Sequence, residues 1–393
     1  MPRPSSLVFP LHAFAVAALL GGCDGAVSTP QASPAQAPSH GVIRRHSVGL
    51  GAVLTSQAGQ IFGFDIERNG SAGVLATAAN VETFDENSGK ITKSFPKKTP
   101  SGTSYGADGI FTGDVALITR YVVPKGKIYA KRFYDVMSPA TSGKFTGEWT
   151  PPLKDIQVEQ AGPNQTAGDT AIFAIELKNQ DIPELIVSDV AKNTFGKVIG
   201  LGSSSFSLGD QPQLGQDTKT DQAVIASSPD GGRVGGEAPI NLLVDMKSGK
   251  RTEFNGLNNG PYGSGFVNGL AVDSATGIAA TTTELNAQVE FYNLAKETGT
   301  AAQLPCTGSA SQTLSGSGIA NDSINGLFLV TEQYYCSGSQ GSAIVVYDES
   351  GNLVETITGF TFSIGEPAPV INPSERMGWT FGPGVNQLQQ FFY

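Results

Sequence analysis

From Gln288 to Leu294 polar and apolar residues alternate (Gln288, Val289, Glu290, Phe291), the period-two mark of a half-buried strand. Ahead of it, Ile278–Glu284 is rich in Thr, whose branched Cβ suits a pleated surface. Ahead of that again stands the short β-rich run Asn268–Asp273, joined by Ser274-Ala-Thr-Gly277, which is turn chemistry. Lys296-Glu-Thr-Gly299 reads as another turn and Thr300–Leu304 as a fourth run. Four strands and tight turns within about 40 residues is the size of one propeller blade.

The unit recurs. Val81-Glu-Thr-Phe-Asp85 matches Val289-Glu-Phe-Tyr-Asn293, with Phe62–Glu67 and Gly73–Ala78 before it and Ile91–Phe95 after. Gly318–Asp322, Leu327–Tyr335, Ala343–Asp348 and Leu353–Phe360 repeat the plan. Third strands are expected to end at Asp85, Asp135, Asp189, Asp245, Asn293 and Asp348, spaced 50, 54, 56, 48 and 55 residues apart. A further unit starts near Pro369 and runs out at Tyr393 one strand short. The strand-like Val48–Thr55 supplies the missing strand, because a propeller must join its first and last blades to hide the sheet edges. The expectation is an all-β propeller of seven blades over residues 43–393, with six or eight as alternatives.

The chain has 393 residues and 49 glycines and shows no long helical periodicity, as suits many hairpins. Arg3 followed by the apolar Leu7–Leu20 reads as a leader, too short for a stable membrane span. Leu20-Gly-Gly-Cys23 resembles the lipobox of bacterial lipoproteins. The resemblance implies that residues 1–23 are a signal peptide, that Cys23 is lipidated, and that the domain lies in the bacterial envelope outside the cytoplasm. Residues 24–42, rich in Ser, Pro, Ala and Gln, read as a tether.

The net charge of −10 argues against a nucleic-acid partner, and the basic run Lys125–Arg132 reads as a solvated strand face. With Cys23 lipidated, Cys306 and Cys336 remain. Each is expected in a connection on the same face of neighbouring blades. A disulfide between them would close a loop of about 30 residues, worth roughly 3–4 kcal/mol in the chain-entropy model. Two free thiols are the alternative.

His12, His40 and His46 are the only histidines, and none lies within the body of the domain. Gly102-Thr-Ser-Tyr-Gly106 therefore has no downstream base to serve as a nucleophile elbow, and a His-ligated zinc is excluded within the domain. No P-loop or dinucleotide motif is present. Oxygen chemistry remains. Gln60, Asp108, Asp221, Asn268, Ser317 and Glu366 are expected where chain enters innermost strands, with Glu284 and Glu332 at second-strand ends on the same face. Asp108, Asp221, Asn268, Glu284 and Glu366 form the candidate set for Ca²⁺, which takes six to eight oxygens and could polarise an ester or lactone carbonyl. The alternative is that loop entries are polar because they face water. Asp65, Asp273 and Asp322 are expected to bond their own turns, and Trp149 and Trp379 to pack between blades.

The blade pattern (apolar strand, Asp-x-x-x-Gly turn, second strand, then a strand closing on Tyr/Phe-Asp) resembles bacterial propellers of the NHL-repeat and quinoprotein-dehydrogenase β-chain-like groups. The resemblance covers residues 48–393 and specifies architecture far better than function. Some members are calcium-dependent lactonases. The functional expectation is a lipid-anchored, non-catalytic module that binds an envelope protein or small ligand and requires no cofactor. The alternative is a calcium-dependent hydrolase at the channel mouth.

Overall fold

The computed structural model describes residues 47–67, 71–96, 109–112, 115–122, 131–137, 144–149, 156–161, 170–177, 183–189, 194–201, 213–226, 241–254, 267–283, 288–305, 311–336, 339–361 and 368–393. All of them belong to one compact unit, Arg44–Tyr393. The strands are β1 (Gly49–Thr55), β2 (Ile61–Ile66), β3 (Ala72–Thr77), β4 (Asn80–Asp85), β5 (Lys90–Pro96), β6 (Gly109–Thr112), β7 (Val115–Val122), β8 (Lys131–Met137) and β9 (Phe145–Trp149). They continue with β10 (Ile156–Ala161), β11 (Thr170–Leu177), β12 (Pro183–Asp189), β13 (Thr194–Gly200), β14 (Gln213–Asp217), β15 (Gln222–Ala226), β16 (Asn241–Asp245) and β17 (Arg251–Phe254). Next come β18 (Val267–Asp273), β19 (Ile278–Thr283), β20 (Gln288–Asn293), β21 (Thr298–Gln303), β22 (Ser311–Asp322), β23 (Leu327–Cys336), β24 (Ser339–Asp348) and β25 (Leu353–Phe360). The last are β26 (Val370–Asn372), β27 (Met377–Phe381) and β28 (Gln387–Phe392).

These form seven four-stranded antiparallel sheets among the described residues. Six take their strands in chain order, from β2-β3-β4-β5 to β22-β23-β24-β25. The remaining sheet runs β1-β28-β27-β26, so the first strand of the domain is the outermost strand of the last sheet. The register sets Val53 against Gln389, Leu54 against Leu388 and Thr55 against Gln387. The architecture is a β-propeller.

The core lies between sheets rather than within one layer. Ala271, Ala280, Val289 and Phe291 of one sheet pack on Ile319, Phe328, Val330 and Val345 of the next. Leu54, Met377, Trp379 and Leu388 of the last sheet pack on Ile61, Phe64, Leu75 and Phe84 of the first. Along β23, Phe328 and Val330 face one neighbour, while Leu327 and Leu329 face the other. Inner strands are therefore buried on both faces, which calls for continuous apolar runs, while outer strands such as β5, β17 and β21 are largely exposed. This corrects the half-buried reading of Gln288–Leu294: Val289, Glu290, Phe291 and Tyr292 are all buried.

The turns after first and third strands share one design. In turns such as those after Asp245 and Asp273 the carboxylate ending the strand accepts backbone N–H groups of the turn and the fifth residue takes positive φ, whereas after Asp348 it is the fourth, Gly351. Asp273 Oδ1 accepts from Ala275 N at 2.7 Å, and Gly277, at φ 71°, donates its N–H to Asp273 O. Asp245 and Gly249 do the same in their own turn. Third strands end as expected at Asp85, Asp189, Asp245, Asn293 and Asp348. Asp135 differs, because β8 continues to Met137 and buries Asp135 to 1% exposure. Asp65 also falls one residue short of its strand end.

Candidate functional site

Successive first strands run in the same sense, so every sheet has a turn end and a loop end. At the turn end the side chains are largely committed to one another. Ser274 Oγ donates to Gln216 O and accepts from Thr218 N, tying the β14–β17 sheet to the β18–β21 sheet. Asn321 Nδ2 donates to Asp273 Oδ2 at 3.3 Å across the next junction. There burial, with the hydrogen bond to Asp273, pushes Glu349 above its ordinary value. Tyr393 Oη donates to Asp322 Oδ2 at 3.0 Å across the one after, and burial raises Asp322 in spite of that bond.

The junction between last and first sheets is closed through Glu86. Its Oε1 accepts from Asn372 Nδ2 at 2.6 Å. Its backbone carbonyl accepts from Trp379 Nε1 at 3.1 Å and Gln390 Nε2 at 2.9 Å. The side chain is fully buried, and Oε2 has no partner. Burial pushes Glu86 up to about 8, helped by the charges of Glu67, Glu375 and Asp85 and opposed by the Asn372 bond. Trp379 packs edge-on against Phe84 with centroids 5.5 Å apart, between sheets as expected. The side chain of Trp149 lies outside the described residues.

Glu86 and Glu349 were not singled out in the sequence. The signal was the Asp-Glu pair at Asp85-Glu86 and Asp348-Glu349, against Asp245-Met246 and Asn293-Leu294. The residue after the strand-ending Asp or Asn faces the preceding sheet. Met246 and Leu294 are apolar and buried there, whereas the two glutamates meet Asn372 and Asp273.

The candidate calcium ligands do not gather among the described residues. Asp108, Glu284 and Glu366 lie outside them. Asn268 sits in the bulge at the start of β18. Asp221 is not at a strand entry: it occupies the turn between β14 and β15, with φ 54°, and pairs with Lys247 Nζ at 2.5 Å. The turn after β14 touches the turn after β18 through Thr218 and Ser274. Asn268 is thus a strand's length away from Asp221, roughly 17–20 Å at about 3.3 Å per residue, and one ion cannot reach both. Asp221 was misplaced because it stands where the repeat has Gly277 and Gly326, which hid the turn. No group of His, Cys, Asp or Glu able to hold a metal occurs among the described residues. Gln60 is exposed just before β2. Glu332, midway along β23, is fully buried with neither carboxylate oxygen bonded, and burial pushes it up to about 8. Cys23 and Cys306 lie outside the described residues, and Cys336 ends β23.

Several connections at the loop end are long, although 78–79, 284–287 and 337–338 there are short. Residues 97–108, 201–212, 227–240 and 255–266 all link strands there, whereas turn-end links such as 86–89, 274–277 and 323–326 are short. The exceptions at the turn end are 138–144 and 162–169.

No family model matches the chain, and no curated protein matches it. Solved structures do. A chain of a mitotic checkpoint complex superposes with a TM-score of 0.59 at 13% identity, covering 94% of this chain and 99% of its own length. The Cps50 (Swd1) β-propeller domain of Myceliophteria thermophila gives 0.56 at 11%, covering 88% and 100%. The WD40 repeats of RRP9 give 0.58 at 13%, covering 86% and 96%. At these identities the likeness establishes the propeller fold.

Proposed function

We propose that this chain is a lipid-anchored propeller of the bacterial envelope, of the NHL-repeat or quinoprotein-dehydrogenase β-chain-like kind, that binds a protein partner on its loop end without catalysing a reaction. The observation that carries the reading is the asymmetry of the two ends. At the turn end, polar side chains are spent on bonds between sheets. At the loop end several of the connections between strands are long, 227–240 among them, and binding residues concentrate on connections of that kind. The leader, the lipobox-like Leu20–Cys23 and the tether supply the envelope address.

The test places a photo-crosslinking residue at Arg233, in the connection between β15 and β16, and separately at Ser248 at the turn end, in the full chain in its own membranes. Adducts from the first position and none from the second support the reading. Adducts from the second position alone would reverse the assignment of faces. Hydrolysis of lactones by the purified protein in Ca²⁺ would replace the binding module with the calcium-dependent hydrolase.

A further inference from the structure

The outermost strand of a propeller sheet has one open edge, and such edges are usually guarded by charge or proline. Five of the outer strands here follow that rule: β5 carries Lys90, Lys93 and Pro96, β9 Glu148, β13 Lys197, β17 Arg251 and Glu253, and β25 Glu355. β21 has no charge, but its residues are Thr, Gly, Ala and Gln. β1 breaks the rule. Its sequence, Gly-Leu-Gly-Ala-Val-Leu-Thr, has neither charge nor proline, and among the described residues it pairs only with β28. Leu50 and Val53 are 43% and 47% exposed, and Val48 just ahead of them is 47% exposed. β25, which lies against β1, adds exposed Leu353 and Val354.

Two features of the chain say what covers this edge. The residues immediately before Ser47 are Arg44, Arg45 and His46, in a protein of net charge −10. Arg45 can lie no more than about 11 Å from Val48 at roughly 3.6 Å per residue. The edge is also where the tether enters. A flexible tether of the length that separates Cys23 from Ser47 would have a root-mean-square span of roughly 27 Å, holding the edge at millimolar effective concentration near the bilayer, so that weak contacts suffice.

We infer that the β1 edge docks on the membrane surface, with Val48, Leu50 and Val53 entering the headgroup boundary, and the positive charge that Arg44 and Arg45 bring to the sequence just ahead of it makes an anionic surface the favoured one. The inference rests on the reading of Cys23 as a lipidated residue. Docking through an outermost strand stands the propeller on its rim and leaves the loop end open to a partner.

The experiment uses the full chain processed in its native host and reconstituted into vesicles of phosphatidylethanolamine with roughly one-third phosphatidylglycerol. Flotation of the chain, lost in Cys23→Ser, reads the anchor. Quenching of the indole of Leu50→Trp by brominated acyl chains, corrected for the unsubstituted protein, reads the docking. The expected result is flotation together with at least about twofold quenching, weakened by high salt and by Arg44→Glu with Arg45→Glu. Flotation without quenching overturns the docking and leaves the anchor standing. Absence of flotation overturns both. A blue-shifted indole in detergent that reddens on dilution means that a second copy covers β1, and overturns the docking.

Discussion

Asn372 Nδ2 donates to Glu86 Oε1 at 2.6 Å across the junction where the last sheet meets the first. The two residues are 286 positions apart, so the bond forms only when the ring closes. Oε2 of the same carboxyl is buried without a partner, which makes ionisation there costly.

Stability is therefore expected to fall as pH rises through the neutral range. Glu86 and Glu332 are both raised from 4.5 to about 8 in the folded protein. Between those values the unfolded chain releases the protons that the fold keeps, so each group lowers stability with rising pH, by on the order of 1 kcal/mol per pH unit. The effect is absent below about 4.5 and complete above about 8. Melting temperatures from pH 5 to pH 8.5, at roughly unit steps, should decline in the native protein and decline less in Glu86→Gln. An identical slope in the variant would show that Glu86 ionises freely.

Trp379 is fully buried between the last and first sheets. Trp379→Ala should cost about 3–5 kcal/mol in denaturant unfolding. Trp379→Phe keeps most of the packing and removes the indole bond to the Glu86 carbonyl, which Gln390 Nε2 still satisfies, at about 1 kcal/mol. Gly378 beside it cannot accept a side chain, since a Cβ would sit 2.7 Å from Val370 O and against the Phe391 ring. Gly378→Ala should cost about 1–3 kcal/mol. Equal stability of Trp379→Ala and the native protein would refute the closure described above.

Glu297 holds φ 53° at the position where equivalent turns use Gly89 and Gly249, and it is exposed. A left-handed non-glycine residue costs about 1 kcal/mol, part of which returns as the greater unfolded freedom of glycine. Glu297→Gly should be slightly stabilising and Glu297→Val clearly destabilising, measured as shifts in denaturation midpoint. The reverse order would mean that the turn tolerates a branched side chain.

Cys306 and Cys336 are expected to be joined. Thiol titration of the unfolded, exported protein should find neither free until reductant is added, and reduction should lower stability by roughly 3–4 kcal/mol. Two titratable thiols without reductant would exclude the pair.

The recurring strands were legible because each blade repeats local chemistry: a short β-rich run, a strand-ending Asp or Asn, a turn with left-handed backbone. Where that chemistry was disguised, placement slipped. Asp221 and Arg376 take φ 54° and 50° at positions that are glycine in Gly277 and Gly326, and Asp221 was accordingly assigned to the wrong end of its sheet. Asp135 looked like a strand-ending aspartate, yet β8 runs past it.

By itself the sequence determined the all-β class and the repeating unit, since these rest on composition and on spacings of a few residues. Only the tertiary structure decided that Glu86 meets Asn372, that Glu349 meets Asp273, that Asp221 and Asn268 are a strand's length apart, and that β1 presents an unguarded edge. Those facts depend on which sheet lies beside which, and ring closure sets the neighbours of residues hundreds of positions apart. Burial then gives a carboxyl such as Glu86 a chemistry that its letter in the chain does not carry.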